Sequence, residues 1–306
     1  MRRCPTARFR ARRTLLVAAL VTVALSAPWS GRAVAGPTPQ VAASFFPLAA
    51  AVRTVGGVGV QVRDLTPPGV EPHDLDLGSD QVDALLDADL GVVLGGSFQP
   101  GIDRVAEQRD GPTLVALDLL GRRAARRAAH DPHVWLDPMR YRDIVVEIGD
   151  RLARLDPDHA GGYTRRAAAF ADALGALDDA YRTGLARCER HLVLAGHEAF
   201  GWLTARYGLR QVGVTRGSPD AEPDPARLAD LADLARREGA TTVFTEPLAS
   251  PRVARTLARE AGGLDTAVLD PLEGLQGRGG AHGDGGDYLR VMKRNLAALR
   301  TALGCS

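Results

Sequence analysis

Much of what would assign this chain to a common class is missing from it. After residue 27 no apolar stretch approaches the ~20 residues needed to cross a bilayer, so no membrane-spanning helix is expected in the body of the chain. Basic excess is missing: 38 Lys and Arg face 37 Asp and Glu, whereas a nucleic-acid binder needs a basic face. Lysine is nearly absent, with Lys293 alone, so arginine carries almost all positive charge. Hydrolase signatures also fail. His197-Glu198 begins like H-E-x-x-H, but the residue four on is Gly201. Gly95-Gly96-Ser97-Phe98-Gln99 lacks the final glycine of a nucleophile elbow. Cysteine is scarce, at positions 4, 188 and 305, and none follows the apolar run near the N-terminus where a lipid anchor would need it.

That apolar run belongs to an export signal. Residues 1–13 hold six arginines and no acid, 14–27 are apolar, and Ala33-Val34-Ala35 offers small residues for cleavage. Arg12-Arg13 is compatible with twin-arginine as well as general secretion. Cleavage after Ala35 removes seven arginines and no acid. It leaves 31 basic against 37 acidic residues, so the net charge moves from +1 to −6. It also leaves two cysteines. In an exported chain these favour one disulfide, Cys188–Cys305, the alternative being two separate thiols.

Short apolar runs alternate with helical patterns twice. Strands are expected at Val41–Phe46, Val60–Leu65, Leu90–Leu94 and Thr113–Leu117, with Ser79 as N-cap of a helix over Asp80–Ala88. The rhythm breaks over 118–137, where an Arg/Ala-rich stretch, 121–130, reads as a loop. It resumes with strands at His191–Ala195, Gln211–Val214, Thr242–Thr245 and Thr266–Leu269. Between the halves, Phe170, Leu174, Leu177 and Tyr181 lie on one face of a helix over Tyr163–Ala186, roughly 36 Å long. Gly277–Gly286 reads as a mobile loop. The expected class is α/β, with two Rossmann-like lobes of mostly parallel strands joined by a long rigid linker helix. The expected division is a signal at 1–35, an N-terminal lobe at 36–157, the linker helix at 158–187 and a C-terminal lobe at 188–306.

Ligands of open α/β sheets bind beyond the carboxyl ends of strands. His73, His133, His197 and Asp270 each follow an expected strand, two from each lobe. Three imidazoles and a carboxylate make a tetrahedral zinc set with Zn–N near 2.0–2.1 Å. Glu198 and Glu246 also follow strand ends, where either can orient an imidazole.

Four segments stand in the order found in one family: Glu71-Pro72-His73-Asp74, Asp131-Pro132-His133-Val134-Trp135-Leu136-Asp137-Pro138, His197-Glu198-Ala199-Phe200-Gly201, and Leu269-Asp270-Pro271-Leu272-Glu273-Gly274-Leu275. In these the chain resembles the cluster A-I metal-binding proteins, the zinc- and manganese-specific periplasmic binding components of ABC importers. The resemblance implies a non-enzymatic monomer that binds Zn2+ as cargo and delivers it to a permease with its ATPase. It implies metal ligation by His73, His133 and His197, with Asp270, Glu71 or water in fourth place. Manganese-type members carry Glu where His197 stands, so the imidazole points to zinc. Trp135 either walls the site or packs in the core. A secreted metal-binding adhesin or a zinc hydrolase is the alternative function. Many zinc-type members have a His-rich loop before the DPH motif. Here residues 121–130 hold one histidine and four arginines, so zinc collection by this stretch is not expected. His130, His159, His191 and His282 read as loop or surface residues.

Overall fold

Four parallel strands, β1 (Gln40–Ala43), β2 (Gln61–Asp64), β3 (Leu90–Val93) and β4 (Thr113–Val115), form one sheet in the order β2-β1-β3-β4. A second sheet repeats that order as β6-β5-β7-β8, from β5 (Leu192–His197), β6 (Arg210–Thr215), β7 (Thr242–Thr245) and β8 (Asp265–Val268). This computed structural model describes Met1 and residues 38–215, 224–274 and 285–306. The expected signal, apart from Met1, lies outside the described residues, as do Leu275, His282 and the glycine-rich loop through 284. Inner strands read as continuous buried apolar runs, Val41-Ala42-Ala43 and Leu90-Gly91-Val92-Val93, because helices cover both faces of a parallel sheet. The edge strands β2 and β8 leave every second residue or more in water.

The helices are α1 (Phe46–Gly56), α2 (Ser79–Asp87), α3 (Pro100–Ala106), α4 (Arg122–Ala128), α5 (Pro138–Leu155), α6 (Ala160–Gly184), α7 (Gly201–Arg206), α8 (Pro225–Arg237), α9 (Arg252–Glu260) and α10 (Gly285–Leu303). Helix α2 begins at Ser79 itself, with Gly78 as the capping position. The Gln81 side chain reaches back to accept the Gly78 N–H at 2.7 Å. Residues 121–130 are not a loop throughout, since they contain α4. Alanine and arginine are both good helix formers, and Ala128 anchors the turn by burial while Arg122, Arg123 and Arg126 stay exposed. Strand β5 runs to His197, because Thr215 extends the neighbouring strand and pairs with it in register.

Helix α6 is 25 residues, about 37 Å at 1.5 Å per residue. Its first half serves the first sheet's side. Arg166 donates to the carbonyls of Val55 and Gly56 at 2.6 and 2.8 Å, satisfying the open end of α1. Gly149 on α5 allows the close approach of α6, for a Cβ there would lie 2.7 Å from the Ala167 methyl. The second half of α6 serves the other side, where Tyr181 donates to the Met292 carbonyl at 2.7 Å. There Asp178 receives Arg206, Arg182 and Tyr207. Burial raises the Asp178 pKa, but those hydrogen bonds outweigh it and bring it down to about 2.

Helix α10 also serves both sides. Tyr288 stacks on Tyr141 of α5 with ring centroids 4.2 Å apart and donates to the Trp135 carbonyl at 2.6 Å. Asn295 exchanges two hydrogen bonds with the Asp270 backbone, at 2.7 and 3.0 Å. Consequently one apolar core runs from Val41 to Leu303, and residues 37–306 form a single compact unit. The end of α10 is fastened by the disulfide Cys188–Cys305, which closes a separation of 117 residues. On the chain-entropy account a loop of that size contributes about 5 kcal/mol. Urea unfolding of the metal-free Cys188→Ala/Cys305→Ala protein is therefore expected to show a loss of 2–5 kcal/mol. An unchanged midpoint and slope would mean that the bond constrains nothing.

Candidate metal centre

The topology supplies the site. In each sheet the first strand is central and the chain leaves it in opposite directions, so a crevice opens at the carboxyl ends of β1/β3 and of β5/β7. His197 is the last residue of β5, and Glu246 directly follows β7. The Glu246 carboxylate joins the two strand ends. It accepts the His197 backbone N–H at 3.1 Å and faces the ring Nδ1 at 2.5 Å. Asp131 does the same for His133, accepting its N–H at 3.2 Å and facing Nδ1 at 2.9 Å. A carboxylate on Nδ1 fixes the tautomer and leaves the Nε2 lone pair for an ion. His73 sits in a single 3-10 turn, Pro72–Asp74, whose start is capped by Glu71 accepting the His73 N–H at 3.3 Å. Its ring stands edge-on to Phe98, with centroids 4.5 Å apart.

The three Nε2 atoms converge. His133 Nε2 lies 3.4 Å from those of both His73 and His197. The fourth member is Glu273, whose Oε1 lies 2.9 Å from His133, 3.3 Å from His73 and 3.7 Å from His197. All four donor atoms fall within 4.8 Å of one another. A tetrahedral shell with bonds of 2.0–2.1 Å has its donors about 3.3 Å apart, so the spacing suits one small ion at the centre. His133, His197 and Glu273 are buried, and a cation there meets donors in place of water.

Asp270 is not brought to the imidazoles. Its carboxylate accepts the Leu272 N–H at 2.8 Å, and its backbone is held by Asn295. That bracing supports a turn in which Leu272 takes φ +59°, the left-handed region that a leucine rarely adopts, and the next residue, Glu273, turns into the site. Asp270 shapes the loop and Glu273 fills the place expected for it. The sequence signal was an acid set among apolar residues, Leu272-Glu273-Gly274-Leu275, at a distance from its strand that hid its direction.

The other expected residues separate as well. Glu71 caps His73 but stays outside the donor group, and its Oε2 is buried without a partner. Burial and the neighbouring Glu273 charge push its pKa up to about 9. Trp135 is fully buried against Phe45 and Phe98 and donates to the Pro271 carbonyl at 2.8 Å. Its ring also lies 5.1 Å from that of His133. Glu198 faces Arg227 at 3.4 Å rather than the His197 ring. Gly201 leaves room for the Asp131 carboxylate, which an added Cβ would strike.

Charge is balanced inside the group. Burial works against a protonated His133, yet Asp131 and Glu273 outweigh it and hold its pKa up at about 9. Burial likewise raises Glu273, but hydrogen bonds from His133 and His73 carry it far below the usual carboxylate range. Burial lifts Asp270 to about 6.

Residues 41–302 match the family described as zinc-uptake complex component A, periplasmic. Among curated relatives, the zinc-binding lipoprotein AdcA of Streptococcus pneumoniae is 31% identical over 278 residues, which is 85% of this chain and 55% of that protein. The chain thus spans about half the length of that relative. The high-affinity zinc uptake system protein ZnuA of Bacillus subtilis is 32% identical over 281 residues, 86% of this chain and 87% of the relative. Among solved structures, the Zn(II)-bound ZnuA-like domain of Streptococcus pneumoniae AdcA superposes with a TM-score of 0.72 at 32% identity, covering 87% of this chain and 99% of that one. Among the described residues, no helix is long and apolar enough to cross a membrane. With the profile matched across both sheets and two curated relatives above 30% identity, the chain belongs to the family of zinc-uptake complex component A, periplasmic.

Proposed function

We propose that this protein binds one Zn2+ outside the cytoplasm through His73, His133, His197 and Glu273 and passes it as cargo to an ABC-type importer. The observation that carries the reading is the convergence of three Nε2 atoms and one carboxylate oxygen near tetrahedral spacing, with five of the six pairs 2.9–3.7 Å apart and none beyond 4.8 Å. Nitrogen donors suit zinc, whereas manganese prefers oxygen-rich shells. Four protein donors fill a tetrahedral ion and leave no place for an activated water, so the reading is a carrier and not a hydrolase. The names of the relatives, zinc-binding and zinc-uptake proteins, support the cargo. The N-terminal arginines and apolar run support export, and a permease with its ATPase is the partner this cargo requires. The two sheets, expected over 36–157 and 188–306, are the lobes that meet at the ion.

The test is calorimetric titration of metal-stripped protein with zinc, beside His133→Ala and His197→Ala, with manganese as competitor. One tight zinc per chain is expected, weakened more than about 100-fold in both variants and undisturbed by equimolar manganese. Variants that bind like the wild type would refute this ligand set.

A further inference from the structure

The four donors are not held alike. The segment carrying His133 is sewn to the far side of the site from both directions. Trp202 Nε1 donates to the Asp131 carbonyl at 2.7 Å, and Trp135 Nε1 donates to the Pro271 carbonyl at 2.8 Å. Tyr288 donates to the Trp135 carbonyl at 2.6 Å, and Arg206 reaches Asp137 at 3.4 Å. Arg127 lies over the Trp202 ring, 4.6 Å from its centroid. None of these contacts involves the ion. His197 is fixed by the end of a strand and by Glu246, and Glu273 by the turn that Asp270 and Asn295 brace.

His73 is held by less, with Glu71 accepting its backbone N–H and Phe98 against its ring. It rides on one 3-10 turn between β2 and α2. Among the described residues no hydrogen-bonding group meets its Nδ1. Its side chain is 11% exposed, against 2% for His133, 0% for His197 and 1% for Glu273. It lines an open groove of about 800 Å³ between its own segment, 73–77, and α3, whose lining holds two acids, Asp74 and Asp76, and one base, Arg104.

We infer that zinc enters and leaves past His73, with the 71–77 segment as the moving part, while His133, His197 and Glu273 stay assembled whether or not the ion is present. The inference rests on the proposed zinc site. Capture is then a three-donor landing followed by closure of one imidazole, and release begins when that imidazole swings toward the groove. No separation of the two sheets is needed, and the hydrogen bonds that sew 131–137 in place survive each cycle.

Amide hydrogen exchange on the metal-free and zinc-loaded full chain tests this, with bound zinc counted by elemental analysis. Zinc should slow exchange at residues 73–77 by roughly tenfold or more, the scale of one local opening being suppressed. Residues 131–137 and 194–198 should change less than twofold. Slowing spread equally over 131–137 and β5, or absent from 73–77, would overturn the inference while leaving the zinc site intact. A chain that holds no zinc would instead remove the proposed function.

Discussion

Glu273→Gln is expected to weaken zinc binding by more than about 100-fold, and Asp270→Asn to leave it within a few-fold. Loss of a group that merely orients a metal ligand typically costs 10–100-fold, and loss of a donor costs more. Glu273 has the position of a donor in the proposed site, with its Oε1 2.9 Å from His133 Nε2 and its side chain 1% exposed. Asp270 acts only through the backbone it braces, and an asparagine can still accept the Leu272 N–H. The deficit of Glu273→Gln should also be larger at pH 9 than at pH 7. At pH 7 the Glu273 charge helps keep a proton on His133, a competitor that the variant partly removes. At pH 9 that competition has faded and the missing donor stands alone. Competition titrations against a zinc chelator at the two pH values read both effects. Equal affinities for wild type and Glu273→Gln would return the fourth place to Asp270 or water.

A second large effect is in pH. In the metal-free protein His133 has its pKa raised to about 9 against an ordinary value of 6.5. A raised folded-state value favours the folded protein fully below pH 6.5, and this benefit disappears as pH climbs through 9. Glu273 is depressed, so its contribution is present above its ordinary value and lost in acid. The metal-free protein should therefore lose stability from about pH 6.5 toward 9. Zinc affinity runs the opposite way over that window, because the ion must displace the His133 proton. One proton per ion means about tenfold tighter binding per pH unit from 6.5 to 9, or 1.4 kcal/mol each. Calorimetry at pH 7 in buffers of different ionisation enthalpy should count at least one proton released per zinc. An affinity flat across that range would show that His133 is neutral before the ion arrives.

The sequence exposes this architecture unevenly, for physical reasons. Buried parallel strands are apolar on both faces, so β1, β3 and β5 stand out as runs, and the expected strands β2, β4 and β5 lead at their carboxyl ends to His73, His133 and His197. Residues 122–128 lack any apolar periodicity, and a helix there rests on alanine and arginine propensity with one buried methyl, Ala128. Glu273 was the harder residue. Two acids follow β8, and choosing between them requires the backbone path, which turns at Leu272 into a conformation that leucine disfavours. Likewise Glu246 and Glu198 both sit near strand ends, and only the pairing of β5 with β7 sends the first toward His197 while the second meets Arg227.

Helix α10 sets the order of assembly against the order of synthesis. Tyr288 completes the aromatic packing around Tyr141 and caps Trp135 beside the first sheet, yet it lies within the last 19 residues of the chain. One face of the first sheet, with β1 and β3 packed on α2 and α3, has its own apolar cluster, but the other face is finished only by a helix made after the whole second sheet.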